Sequence, residues 1–358
     1  MSEDAEVSRD ALQREDLLRD ASLLGAQVAD ARGIPLAGRR GEFDALYAAG
    51  YRDLVFGRLF EGHGNALSLI ARAGTAEQAS RARAAAEAGA LFGVWNTGPA
   101  DGVELVAERA DGVSLRGRKT FCSGADTVAH ALITGRRLDG RSQMLLVPMR
   151  EVAVGIERAS WQPLGMLGTD SFAVDFAGVE LARSALIGAP DAYLADPWFH
   201  AGAARFVAVQ AGAIMRLADE LAAFAVRRGT RDDAVQTTRL GECVVAAQTA
   251  RHWVRACAEA WETHDGAAAA GADAADGAQS AAASRALLLV VDAARSATER
   301  AALDVLERVE RAVGARGLLE PEPFSELVRD LRMYLRQPAP DLAVLRVGLD
   351  AIERSARA

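Results

Sequence analysis

Leu115-Arg116-Gly117-Arg118-Lys119-Thr120-Phe121-Cys122-Ser123-Gly124-Ala125 decides how the chain is read. It has the pattern of a strand running into a turn, and it lies in the middle of the only β-rich stretch. Upstream of it, Leu91–Trp95 reads as a short apolar strand. Val103–Ala107 and Val113–Arg116 flank the turn signal Ala110-Asp111-Gly112. Downstream, Val128–Thr134 and Gln143–Pro148 flank Leu138-Asp139-Gly140, and Ala153–Glu157 and Phe172–Phe176 continue the series. Short strands at this spacing predict a compact β-barrel or sandwich over residues 91–188.

Helical periodicity fills both flanks. Ala11–Ala31, Glu42–Gly50 and Leu54–Ala73 carry apolar residues at helical spacing, and Thr75-Ala76-Glu77-Gln78 has the pattern of a capping box. After Gly188, Arg205–Arg228, Val235–Glu262 and Arg285–Val313 read as long amphipathic helices. Thr263–Ser284, rich in Gly, Ala and Asp, reads as the mobile connection between two of them. Phe324–Leu335 and Leu342–Ala358, separated by Pro338 and Pro340, complete a four-helix bundle. The expected class is α+β in three segments: a helical domain over 1–90, a β domain over 91–188 and a helical bundle over 189–358.

The 358 residues suffice for two or three domains, and the composition is that of a soluble protein: half hydrophobic, one quarter charged. A net charge of −8 gives no basic face of the kind nucleic-acid binders show. Cys122, Cys243 and Cys257 are odd in number and far apart, which supports neither a disulfide framework nor a zinc site and fits a reducing cytoplasm. The acidic N-terminus does not read as a signal peptide, residues 1–10 are expected to be disordered, and no apolar run approaches the ~20 residues of a membrane span.

The order helix, sheet, helix, together with local motifs, resembles the acyl-CoA dehydrogenase superfamily of flavoproteins over nearly the whole chain. Gly117–Gly124 is similar to the family's Gly-x-Lys-x-Trp-Ile-Thr-Asn-Gly segment. Trp161–Ser171, with Val174, Asp175, Phe176 and Val179, is similar to its strand signature before the bundle. Gly314–Leu318 and Arg329-Asp330-Leu331-Arg332 resemble two elements near the C-terminus. The resemblance implies an FAD enzyme in which Phe121 packs beside the isoalloxazine, Ser123 meets its N5 and O4 edge and Cys122 lies between them. Trp95, Asn96 and Thr97 stand where the family's first β strand contacts flavin. Arg228, with Arg231 beside it, stands where an arginine reaches a cofactor diphosphate across a dimer. It further implies an acyl substrate such as acyl-CoA and a homodimer or homotetramer.

The pattern departs from the family at the catalytic base. Neither Tyr334–Asp341 nor Ala204-Arg205 supplies the glutamate that α,β-dehydrogenation uses at these positions. The candidates to replace it are Glu61, His63 and Asp341, with His200 behind them. Glu61-Gly62-His63-Gly64-Asn65 reads either as a functional interruption of a helix or as a loop with a surface histidine. Three functions follow: an FAD-dependent oxidoreductase acting on the CH–CH group of an acyl thioester, a flavin-dependent monooxygenase on the same fold, or a degenerate acyl- or partner-binding paralogue. Ser123 and His63 are the groups the second would place near flavin.

Overall fold

A computed structural model describes residues 9–98, 102–270, 277–319 and 321–357. The expectation of disorder for the N-terminus falls largely on residues 1–8, outside the described residues, as do Pro99, Ala100 and Asp101 of the first cofactor segment. The chain forms two compact units, one from Met1–Gly38, Arg58–Gln162 and Leu167–Ala195, the other from Arg39–Gly57, Pro163–Met166 and Asp196–Ala358. Among the described residues no helix is long and apolar enough to cross a membrane.

In chain order, the helices before the sheets are α1 (Arg9–Arg19), α2 (Ala21–Gly25), α3 (Gly38–Arg52), α4 (Leu54–Ala73) and α5 (Ala76–Glu87). The single helix expected over Ala11–Ala31 is instead broken, because the Asp20 carboxylate accepts from the Ser22 and Leu23 amides and starts a new short helix. The capping box forms as read: Gln78 N donates to Thr75 Oγ1 at 3.2 Å and Thr75 N to Gln78 Oε1 at 2.8 Å. The same Gln78 amide donates to Ser184 O and Leu186 O, so one side chain caps α5 and ties it to the sheet.

The strands are β1 (Phe92–Trp95), β2 (Glu104–Glu108), β3 (Gly112–Arg116), β4 (Arg118–Cys122), β5 (His130–Arg136), β6 (Ser142–Pro148), β7 (Gly155–Glu157), β8 (Phe172–Asp175), β9 (Glu180–Ala182) and β10 (Leu186–Ile187). Seven make one sheet in the order β10-β6-β5-β2-β3-β9, with β1 parallel on β5, and three make a second in the order β4-β8-β7. Leu115–Ala125 is therefore not one strand. Gly117, at φ +96°, lets the backbone leave the first sheet and enter the second, a conformation that strains any residue with a Cβ. The first unit's core joins α4 and α5 to the large sheet through Leu67, Ile70, Ala86, Phe92, Leu132 and Met144.

The second unit holds α6 (Trp198–Ala201), α7 (Ala204–Arg228), α8 (Ala234–Ala270), α9 (Gly277–Gly317), α10 (Phe324–Tyr334) and α11 (Pro340–Ser355). Cys243, Ala247, Ala250, Val254, Cys257 and Trp261 form the buried stripe of α8. Within Thr263–Ser284, α8 continues to Ala270, as its alanines favour, and α9 begins at Gly277; the part of the expected mobile connection over residues 271–276 lies outside the described residues. Two sequence motifs meet here. Asp330, buried on α10, accepts from the Met166 amide, and a Cβ on Gly165 would lie 2.1 Å from Arg329 O. Only glycine allows that approach.

Candidate active site

The end of β4 presents Phe121 outward. It is one of few non-glycine residues at positive φ (+55°), and its ring is 56 % exposed. Trp161 meets it edge-on, with centroids 6.0 Å apart, and Trp161 Nε1 donates to Leu167 O at 3.2 Å. With exposed Leu167 these residues form an apolar, partly aromatic surface. Beside it runs a line of three hydroxyls. Ser123 Oγ and Ser171 Oγ are 2.9 Å apart, and Ser171 Oγ and Thr169 Oγ1 are 2.8 Å apart. The pairing of Cys122 with Phe172 across β4 and β8 brings this line together. Asp170, between Thr169 and Ser171, also takes positive φ (+44°). Strained backbone of this kind concentrates at working sites. Ser171, Thr169 and Trp161 were not among the residues picked out from sequence. Their role depends on strand pairing, and the only local signal was that they fall in the second motif.

The first strand contributes differently from expectation. The Trp95 ring is buried (1 % exposed) and its Nε1 donates to Ser123 O at 3.0 Å, so it braces the wall from behind and has no face left for stacking. Asn96 and Thr97 are exposed, and Thr97 O accepts from Thr120 N. Cys122 points into the core with no exposed surface, and burial pushes its thiol up to about 12, which removes it from a cofactor face. Arg228 is exposed in the last turn of α7, its guanidinium 5.7 Å from the Phe224 ring centroid. It lines a small recess with Thr230 and Gln236. Arg231 is exposed beside Asp232.

His63 is not a surface residue, and Glu61–Asn65 does not interrupt the helix: α4 runs unbroken through both glycines. The His63 ring is completely buried. Its Nε2 donates to Leu24 O at 2.9 Å and its Nδ1 accepts from the Phe92 amide at 3.1 Å. Both nitrogens are used by backbone, which fixes a neutral tautomer and leaves neither free for substrate. Burial lowers its pKa from 6.5 to about 4. A neutral folded histidine against an unfolded one that protonates below 6.5 gives stability that is complete above that pH and is lost as pH falls toward 4. We expect His63→Leu to be less stable than the parent at pH 7, with the gap narrowing by roughly 3 kcal/mol between pH 7 and pH 4. Urea denaturation at both pH values measures this, and a constant gap would show that His63 does not titrate this way.

Glu61 is buried on α4 and paired with Arg58 at 2.8 Å, and its charge also raises the Tyr193 pKa behind the main effect of burial. Asp341 is exposed in the first turn of α11, where an acid favours the helix N-terminus. His200 is exposed and pairs with Asp196 at 2.6 Å.

The start of α7 holds a buried cation. Arg205 (5 % exposed) donates through Nε to Glu42 Oε1 at 2.6 Å. Arg39 donates to Glu42 Oε2 at 3.0 Å and to Asp265 Oδ2 at 2.7 Å, and its guanidinium lies 4.3 Å from the Trp261 ring centroid. Glu42 is thereby committed to two arginines. Arg39, Glu42 and Asp265 were not singled out in the sequence, since nothing in the local pattern marks a contact 163 residues away.

No protein-family model and no curated protein matches this chain. Solved structures do. FMN-bound TdsC of Paenibacillus sp. A11-2, a dibenzothiophene monooxygenase, is 20 % identical over 94 % of this chain and 89 % of its own, with a TM-score of 0.76. The methanesulfinate monooxygenase MsuC of Pseudomonas fluorescens is 20 % identical over 95 % of this chain and 89 % of its own, at 0.77. A nitrososynthase from Micromonospora carbonacea var. africana is 21 % identical over 95 % and 89 %, at 0.73. Identities this low carry the architecture alone, and on that architecture the chain has the acyl-CoA dehydrogenase fold.

Proposed function

We propose that the chain is a flavin-dependent monooxygenase on the acyl-CoA dehydrogenase fold. The observation that carries this reading is Arg205 locked onto Glu42 at a position where the dehydrogenases place a base. Neither group can take a proton from a substrate α-carbon, and His63 is equally unavailable. The monooxygenase names of two structural neighbours favour the same choice over acyl-CoA dehydrogenation.

The residues present suit a flavin. An exposed aromatic ring is held rigid by its own backbone and by Trp161, beside hydroxyls that can meet a polar ring edge. Reduced flavin, when bound, supplies the electron pair with which dioxygen gives one oxygen atom to a substrate and the other to water. Phe121, Trp161 and Leu167 keep water from one side of the site, and Ser123, backed by Ser171 and Thr169, holds a proton at its Oγ and can hand it along the line. FMN is the preferred nucleotide, given the FMN-bound neighbour and the missing family serine near Gly98. In an FAD or oligomeric form, Arg228 is the group to reach a neighbouring subunit's cofactor phosphates.

The test is direct. The purified chain is titrated with FMN and FAD, then supplied with a flavin reductase and oxygen over a panel of small sulfur, nitrogen and acyl substrates. Flavin binding, weakened about tenfold by Phe121→Ala, and oxygenated product formed only with reduced flavin and oxygen support the proposal. Absence of binding to either flavin overturns it. Anaerobic bleaching of bound flavin by an acyl-CoA would restore the dehydrogenase reading.

A further inference from the structure

Helix α11 carries its charges inward and its apolar residues outward. A surface helix ordinarily buries its apolar stripe and shows its charges to water. In α11 the buried residues are Ala343 and Asp350, which mark the face packed on α9. Asp350 accepts from Arg285 of α9 at 2.6 and 2.9 Å. On the same side Arg346 donates to both carboxylate oxygens of Asp292 of α9, at 2.6 Å each. Asp292 and Asp350 are both buried, so two ion pairs hold α11 to the bundle.

The opposite face is apolar. Leu342, Leu345, Leu349 and Ile352 are 45–68 % exposed. Their spacing of three, four and three residues sets them in one row along the helix, with no charged residue in it. The row is about 15 Å long at the rise of an α-helix. Apolar surface this continuous marks an interaction site more often than a free surface. Gly348 lies beside Leu345 and Ile352 in the next turn, and a Cβ added there would meet no atom of the described residues within 4 Å. A glycine inside a helix weakens it, and within its own chain this one is not explained by close packing.

We propose that this face binds a second copy of the chain, α11 against α11, antiparallel about a two-fold axis. The helix is complementary to its own reverse. It carries Asp341 in its first turn and Arg354 in its last. Antiparallel pairing brings the acid of each copy toward the base of the other and sets opposite ends of the helix dipoles together, whereas parallel pairing sets like against like. Shape agrees with charge. With the axis between positions 345 and 348, each Leu345 seats over the Gly348 of the other copy, a knob in the hole that the missing side chain leaves. A single helix face on each copy lies at the small end of specific interfaces, below ~1,200 Å² in total, so this contact acting alone gives micromolar association. The inference does not rest on the flavin reading, and its test uses no cofactor.

The full chain is sedimented at concentrations bracketing the micromolar range, as parent, Leu345→Glu, Ile352→Glu and Gly348→Leu. The parent is expected to show a concentration-dependent doubling of mass. Each glutamate variant loses that step, because pairing would bury its charge. Melted at a concentration where the parent is dissociated, both unfold with the parent, since neither side chain faces α9. Gly348→Leu separates the two effects: it raises the midpoint of the dissociated chain through helix propensity and weakens pairing about tenfold or more by filling the seat of Leu345. A chain that stays monomeric at every concentration overturns the proposal and gives the face to a different partner. An assembly whose mass neither glutamate variant changes uses another surface and overturns it too. Undiminished pairing in Gly348→Leu rules out the two-fold crossing at that glycine.

Discussion

Glu42→Ala is expected to destabilise the chain by about 3–5 kcal/mol, the cost of leaving a buried charge without its partner. Glu42 is 1 % exposed, Arg39 2 % and Arg205 5 %, so water cannot take over the lost interaction. Among the described residues the Arg205 side chain hydrogen-bonds Glu42 only, whereas Arg39 retains Asp265. Burial works against the Arg39 charge, but Glu42 and Asp265 outweigh it and hold its pKa above the ordinary value. The variants rank by the pairing each one loses. Glu42→Ala costs most, Glu42→Gln less because one hydrogen bond survives, and Asp265→Ala least because that carboxylate is partly solvated. Urea denaturation measures the series. A Glu42→Ala loss below about 1 kcal/mol, typical of an exposed pair, would show that the cluster is screened, and would release Glu42 as a base candidate.

Gly212→Val and Gly50→Val are expected to cost about 3 kcal/mol or more, at or beyond the upper end of the usual penalty for overpacking. A Cβ on Gly212 would lie 2.1 Å from Tyr47 O, and one on Gly50 would lie 2.0 Å from Val209 O. Both obstacles are backbone, so relief requires α3 and α7 to separate, and with them Glu42 and Arg205. Gly241→Ala on α8 is the control. Nothing lies within 4 Å of its added Cβ, and alanine there should stabilise by up to ~1 kcal/mol through helix propensity alone. Thermal unfolding of the three variants decides it. If Gly212→Val melts with the parent, the two helices do not cross this closely.

Much of the site could be named from sequence without its roles being right. A motif points to Phe121 and Ser123; Phe121 is exposed, and Ser123 beside it is half-buried. Trp95 and Cys122 came from the same matches and turn inward, because alternation along a strand sends neighbours to opposite faces and a motif does not say which. His63 attracted attention as a polar residue between glycines. Burial made it a backbone strut, with partners on α2 and β1 that no helical pattern could name.

The sequence by itself determined what depends on near neighbours. Leu54–Ala73 was bounded correctly by its periodicity, Thr75 and Gln78 by their capping chemistry, and the strand hairpins by their turns. These signals span a few residues, and the energies behind them are local. The tertiary structure alone decided the rest: the change of sheet at Gly117 inside the opening stretch, the hydroxyl line from Ser123 to Thr169, and the capture of Arg205 by Glu42. Each joins or turns groups according to what packs around them. Burial, which sets the cost of an unpaired charge and the face a side chain takes, is a property of the folded whole.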